Sequence, residues 1–151
     1  MVYSEVNEDL FNNAGEYALA HCISADCKLG KGIAVEFAKR FNTKNLLQVE
    51  YPNYVDRFNS HSCLIIDNGK YGTGTDVFNL VTKKYYYNKP TIESMRGALE
   101  DMKVECLLRG IKKVAMPKIG CGLDKLSWND VKNAIFEVFS DTNMEIKVCF
   151  Y

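Results

Sequence analysis

Apolar residues recur at three- and four-residue intervals in several parts of the chain. Ala34, Phe37, Ala38 and Phe41 share one face of a helix expected over residues 33–41. Ile92, Met95, Leu99, Met102 and Cys106 form a longer stripe, which predicts a helix over 91–108. Thr91, directly after Pro90, serves as its N-cap, and Gly110 stops it. Trp128, Val131, Ile135 and Val138 predict a helix over 127–139 capped by Ser127. A short helix is expected over 43–51, with Thr43 as N-cap and Pro52 ending it. Compact apolar runs between these helices predict strands over 2–6, 16–23, 62–67, 76–82, 113–116 and 144–150. Asn68-Gly69, Gly72 and Gly74 lie between two of them, so a hairpin with an elaborated loop is expected there. Strands joined by helices imply one α/β domain over 1–151, a three-layer α/β/α sandwich with a mixed central sheet. A ligand is expected at the C-terminal edges of the strands.

Nineteen basic and nineteen acidic residues give a formal net charge of zero, so bulk charge recruits neither nucleic acid nor membrane. The first nine residues lack the layout of a secretory signal, and no apolar run approaches the length of a membrane span. An intracellular, soluble monomer of cytosol or nucleus is the expectation. Cys22, Cys27, Cys63, Cys106, Cys121 and Cys149 include no C-x-x-C pair, and His21 and His61 add no zinc spacing. Free thiols and no metal site are expected.

Two loops follow a strand and open toward a helix: Leu29-Gly30-Lys31-Gly32-Ile33 and Pro117-Lys118-Ile119-Gly120-Cys121-Gly122-Leu123-Asp124. Glycines there let backbone N–H groups approach a phosphate, and two such loops could clamp a diphosphate. Either pair alone is more readily explained by tight turns. Neither loop is a dinucleotide fingerprint or a P-loop: Lys125 stands at the third glycine position, and no G-x-x-x-x-G-K-[ST] string occurs.

The strings Ala20-His21-Cys22-Ile23-Ser24, Gly32-Ile33-Ala34-Val35, Val81-Thr82-Lys83-Lys84, Lys89-Pro90-Thr91 and Met116-Pro117-Lys118-Ile119-Gly120-Cys121-Gly122-Leu123-Asp124 run in order along the chain. Together they resemble the macro domain of the terminal ADP-ribose protein glycohydrolase type. The resemblance implies a macro domain fold and an ADP-ribose pocket. It implies that Asp9, at the end of the first strand, recognises the adenine amino group, with Leu10 beside it. Ser24 would be a pocket residue after the second strand. Gly30, Gly32 and Ile33 would lie around the diphosphate and distal ribose, and Ile119, Gly120, Cys121, Gly122 and Leu123 would form the second phosphate loop. Lys83 and Asp124 would be the catalytic pair, and Tyr151 would close over the pocket. The chain departs from the family at Glu8 (often glycine), Lys31 (often small), Lys118 (often arginine) and Tyr151 (larger than expected).

The implied chemistry suits these residue types. A neutral lysine amine can attack the anomeric carbon, and desolvation or a nearby cation would favour the neutral form. Lys84 adds charge, although strand alternation points it to the opposite face. Asp124 would serve as general base. Cys121 lacks the C-x-x-x-x-x-R of a cysteine phosphatase, since Ser127 stands at the arginine position. His21, on an apolar strand, reads as a hydrogen-bonded core histidine. Tyr85-Tyr86-Tyr87 read as packing against neighbouring structure, with stacking on a base or target as the alternative. The implied activity is hydrolysis of mono-ADP-ribose from acidic protein side chains, with deacylation of O-acyl-ADP-ribose. The alternatives are removal of ADP-ribose from DNA, an ADP-ribose 1″-phosphate phosphatase, and a reader that binds ADP-ribose without chemistry. No cofactor is implied, only ADP-ribose as ligand or product; the partner would be an ADP-ribosylated protein or nucleic acid.

Overall fold

A computed structural model describes residues 1–151. The strands are β1 (Val2–Asn7), β2 (Ala18–Ser24), β3 (Ser62–Ile66), β4 (Val77–Lys83), β5 (Lys113–Met116) and β6 (Glu145–Phe150). They form one sheet in the order β1-β6-β5-β2-β4-β3, parallel throughout except for β3, which runs antiparallel to β4 at the edge. The helices are α1 (Ile33–Phe41), α2 (Thr43–Glu50), the single turn α3 (Asn68–Tyr71), α4 (Ile92–Arg109) and α5 (Trp128–Phe139). This is the expected three-layer sandwich with a mixed sheet.

The central strands are apolar because both of their faces are covered. Along β4, Phe78 and Leu80 enter one core with Met95, Leu99 and Met102 of α4 and Ile135 of α5. Val77 and Val81 enter the other, with Phe37 of α1 and Leu47 of α2. This is the two-residue alternation of a strand. The edge strand β3 is protected at its middle by Tyr51, whose hydroxyl accepts from Ile65 N at 3.1 Å and donates to Ile65 O at 3.2 Å.

Thr91 caps α4 in a reciprocal capping box with Ser94, and Gly110 ends the helix at φ +70°. Two other caps differ from expectation. Asn42, left-handed at φ 56°, both ends α1 and precedes α2, so Thr43 is the first residue of α2 rather than its cap. Ser127 sits at the N-cap of α5 but its side chain makes no capping bond. β2 begins at Ala18 rather than residue 16, because Ala14 bridges Tyr17 and the chain turns before the ladder starts. The β3–β4 connection is elaborated as expected, but Asp67 caps Gly69 N and Lys70 N and so winds it into α3.

Two irregularities in the ladder create the site. β5 pairs with β2 only through Ala18↔Val114 and Leu19↔Ala115, and ends at Met116 while β2 runs on to Ser24. The chain after β5 therefore leaves the sheet beside the free end of β2. Between β2 and β4 the register slips at Ile23/Ser24, so that Ser24 pairs with Lys83 and Thr82 is the extra residue. Bulges of this kind re-aim side chains beside functional sites.

Candidate active site

The gap at the C-terminal edge of β2, β4 and β5 is a cavity of about 830 Å³. Its walls are Lys28 to Ala34 on one side and Pro117 to Asp124, apart from Cys121, on the other. Cys22, Ile23, Ser24 and Lys83 come from the strand ends, and Tyr86 to Lys89 form part of the rim. A second, open groove of about 470 Å³ lies beside the N-terminus of α4, lined by His61, Thr82 and Thr91 among others, and Lys89 lines both.

Inside the larger cavity, Lys83 Nζ donates to Asp124 Oδ1 at 2.7 Å. The two side chains are only 14% and 16% exposed, so the pair is withdrawn from bulk solvent without being sealed from it. Lys83 reaches it from the last residue of β4, just past the bulge, and Asp124 from the loop after β5. The two glycine loops flank this pair.

The glycines divide into two kinds. Gly32 has φ +62° and Gly120 has φ +74°, backbone that an L residue rarely adopts, and a β-carbon on Gly120 would lie 2.7 Å from Met95 Cε. These two are explained by the turns they make. Gly30 and Gly122 have no such φ, and a β-carbon on either would meet nothing within 4 Å. Neither conformation nor packing requires glycine there, yet both line the cavity. What a side chain at these positions would obstruct is the cavity itself. A bound phosphate approaching the backbone supplies a reason for glycine that the fold alone does not. The turn leading into the first loop holds the non-glycine residues Cys27 (φ 55°) and Leu29 (φ 47°) in left-handed backbone. Their buried side chains, packed in the core with Phe37, hold that strained turn in place.

The local electrostatics argue against a cysteine nucleophile. Burial pushes the Cys22 thiol far up, with the Asp124 carboxylate adding to the effect and Lys83 opposing it. Burial likewise raises the Cys121 thiol, whose Sγ points to Ile119 O at 3.3 Å. Both are poor thiolates. His21 is a core residue: its ring stacks on Phe37 at 3.8 Å and its Nε2 meets Asn79 Oδ1 at 2.6 Å. Burial holds its imidazole down to about 4. Lys84 is exposed and does not line the cavity; its Nζ lies 5.5 Å from the Tyr85 ring centre. Lys118 lies over the rings of Phe150 and Trp128, at 4.8 and 5.8 Å, as well as lining the cavity.

Ser24, Gly30, Gly32, Ile33, Ile119, Gly120, Gly122 and Leu123 line the same cavity as Lys83 and Asp124. Cys121, Asp9, Leu10 and Tyr151 do not. Asp9 lies two residues beyond β1 rather than at its end, and caps a short 3-10 turn by accepting from Phe11 N at 3.0 Å. Leu10 is core. Tyr151 is exposed, and the charge of the Asp9 carboxylate pushes its phenol up. Glu8 is tied to Lys147 at 3.0 Å. Phe11, with the Arg40 guanidinium 4.4 Å from its ring centre, adjoins Asp9 and was not singled out from sequence, since an aromatic in an apolar run carries no separate signal. Lys28 and Asn88 were missed as cavity residues for a similar reason, loop residues having no periodicity; Tyr86 and Lys89, both named from the sequence, had been given no place in the cavity. The tyrosine triplet does not pack inward. Tyr85 and Tyr87 stack on each other with centres 5.4 Å apart, and Tyr86 and Tyr87 are exposed. The turn closed by Asn88 Oδ1 on Tyr85 N holds them at the rim.

The macro domain family model matches residues 13–135. Human ADP-ribose glycohydrolase OARD1 is 40% identical over 144 residues, covering 95% of this chain and 88% of that protein. A DNA ADP-ribosyl glycohydrolase from Thermus aquaticus is 25% identical over 125 residues, covering 80% of this chain and 33% of its own length. Among solved structures, the macrodomain of Thermus aquaticus DarG superposes with a TM-score of 0.85 at 22% identity over 99% of each chain.

Proposed function

The chain belongs to the macro domain family, and on that footing we propose that it is a hydrolase that removes mono-ADP-ribose from acidic protein side chains through a covalent Lys83 intermediate resolved by Asp124. The observation that carries this reading is the 2.7 Å Lys83–Asp124 bond at the base of a cavity walled by two glycine loops. A protein that only bound ADP-ribose would have no use for a withdrawn amine–carboxylate pair beside the ribose.

The diphosphate lies between Gly30–Gly32 and Gly120–Gly122, with the backbone N–H groups as donors. The adenine extends toward Asp9, Phe11 and Arg40. The distal ribose then meets Lys83. Its amine hands a proton to Asp124 and bonds to the anomeric carbon as the bond to the acyl oxygen breaks; Asp124 passes that proton to the departing acyl oxygen, so the target leaves as a carboxylic acid and Asp124 is again a carboxylate. The glycosylamine so formed interconverts with an open form, in which the adduct's ammonium gives a proton to the ring oxygen as the ring C–O bond breaks and C=Nζ forms; borohydride reduces this form. In the second step Asp124 takes a proton from water, whose oxygen bonds to the same carbon of the closed form. The carbon–Nζ bond breaks, the amine recovers its proton, and ADP-ribose is released. Water is the only co-reactant the balance requires. An O-acyl-ADP-ribose presents the same kind of leaving group, so deacylation follows from the same steps. The carboxylate partner changes how the amine becomes neutral: its proton passes to Asp124, and no neighbouring cation is needed.

A nucleic-acid target is the second reading, favoured by the rim. Lys28, Lys31 and Lys89 line the cavity beside the exposed Tyr86 and Tyr87, and a local patch of this kind suits a phosphate backbone and bases despite the zero net charge. The test is release of ADP-ribose from a glutamate-modified protein and from modified single-stranded DNA, with wild type, Lys83→Ala and Asp124→Ala. Loss of turnover in both variants supports the pair, and the preferred substrate identifies the target class. Normal turnover by Lys83→Ala excludes the lysine mechanism. Tight ADP-ribose binding without release from either substrate leaves a reader.

A further inference from the structure

Asp124 lies near the tip of a loop that mostly bonds to itself. Leu126 N donates to Gly120 O at 2.7 Å, and Cys121 N and Lys125 N donate to carbonyls of the same loop at 3.3 Å. Two side-chain hydrogen bonds reach residues 121–125 from elsewhere: Lys83 Nζ to Asp124 Oδ1, and Lys89 Nζ to Leu123 O at 3.1 Å. The first of these is consumed by the chemistry. Once Nζ of Lys83 is bonded to the sugar it no longer holds Asp124 as it does in the free protein. The second step nevertheless needs Asp124 in place to take a proton from water.

We propose that Lys89 is the positioning residue for that second step, holding Asp124 through the Leu123 carbonyl while Lys83 is occupied. The inference rests on the covalent Lys83 reading. Lys89 is suited to the role because its own base is fixed. The turn before it is closed in both directions, by Asn88 Oδ1 accepting from Tyr85 N at 2.9 Å and Asn88 N donating to Tyr85 O at 3.0 Å. Tyr86 N is tied to Asp26 Oδ2 at 3.0 Å. Pro90 follows with its φ locked by its ring and is buried, and Thr91 caps α4. The ammonium therefore extends from a rigid platform across the mouth to the opposite loop. There it fixes the carbonyl of Leu123, whose side chain faces the first glycine loop: its Cδ1 lies 3.7 Å from where a β-carbon on Gly32 would sit. Lys89 itself touches neither the reacting carbon nor the attacking amine in this scheme; it acts through Asp124.

A positioning role confined to the second step has a kinetic signature that a general structural role lacks. kcat/KM reports events up to the first irreversible step, here attack by Lys83, whereas kcat includes the release that follows. On a glutamate-modified protein substrate, which makes no use of the phosphate-binding rim, wild type, Lys89→Met and Lys89→Arg are compared for kcat, kcat/KM, melting temperature and the fraction of enzyme trapped by borohydride during steady-state turnover. Lys89→Met keeps the aliphatic stem and removes the donor. The expected result is a kcat lower by about tenfold or more, the scale of a displaced catalytic group, with kcat/KM within about threefold of wild type. The trapped fraction rises, the melting temperature is unchanged, and Lys89→Arg restores kcat. Equal kcat and equal trapped fraction in Lys89→Met overturn the proposal, as does a parallel fall in kcat and kcat/KM without accumulation. If wild type itself traps no adduct, the Lys83 reading fails and this inference falls with it. A trapping wild type with an indifferent Lys89→Met refutes the Lys89 role alone.

Discussion

Gly30→Ala and Gly122→Ala separate stability from binding in a way few substitutions can. At both positions the backbone lies outside the positive-φ region and a β-carbon would meet no atom within 4 Å. The folded state accepts alanine without strain, while the unfolded chain loses conformational freedom. Stability should therefore be unchanged or rise by about 0.4–1 kcal/mol. ADP-ribose binding should respond in the opposite sense. If the methyl group denies the diphosphate one N–H donor, a charge-assisted hydrogen bond of about 1.5–3 kcal/mol is lost. That corresponds to a roughly 10- to 150-fold weaker Kd. Gly32→Ala and Gly120→Ala provide the contrast. Their φ values of +62° and +74° impose about 1–3 kcal/mol of backbone strain on an L residue. Gly120→Ala also drives a methyl group to within 2.7 Å of Met95 Cε, which must move. Calorimetric titration with ADP-ribose and urea unfolding of all four variants read both quantities. Wild-type affinity in Gly30→Ala and Gly122→Ala, or a loss of stability in either, would refute the inference that an incoming phosphate explains these two glycines.

His21 supplies a pH prediction. Burial holds its imidazole at about 4 in the folded protein, against about 6.5 in an unfolded chain. The unfolded chain thus takes up the proton first. The stability this site contributes is complete above about pH 6.5 and is lost as pH falls toward about 4, a total of roughly 3 kcal/mol. His21→Gln cannot titrate, so its stability difference from wild type, measured by urea unfolding, should shift by that amount between pH 7 and pH 4; a constant difference would contradict it. Tyr51→Phe removes the hydroxyl that serves both Ile65 N and Ile65 O, and should cost about 1–3 kcal/mol in the same assay. Gly97→Ala should lose stability despite alanine's better helix propensity, because its β-carbon would fall 2.4–2.6 Å from the His61 ring and break the His61–Asp101 contact. A higher melting temperature for this variant would refute that packing argument.

The regular elements were legible because their apolar residues repeat with the period of a helix or a strand. The stripe Met95, Leu99, Met102 and Cys106 is buried as its spacing requires. Boundaries set by non-local pairing were less accessible: nothing near Glu16 reveals that β2 starts at Ala18, where Val114 of β5 is its partner. Thr43 was assigned as a cap because its residue type suits one, but Asn42 adopts the left-handed conformation that joins α1 to α2. Within the cavity, residue types and chain order suggested both glycine loops, whereas Lys83 and Asp124 were singled out by the resemblance to the family. The reasons the loops face each other are the early end of β5 and the bulge at Thr82, and neither leaves a periodic trace. The tyrosine triplet was misjudged for a related reason. Aromatic composition favours burial, but the Asn88-closed turn leaves these rings stacked on one another at the surface.

The central claim is a bond between Nζ of Lys83 and the anomeric carbon. It is tested most directly by adding borohydride during turnover of an ADP-ribosylated glutamate substrate and mapping the modified peptide by mass spectrometry. A reduced ADP-ribose adduct on Lys83, more abundant in Asp124→Ala and missing from Lys83→Ala, is the result expected. Full turnover with no adduct on Lys83 under any trapping condition would contradict it.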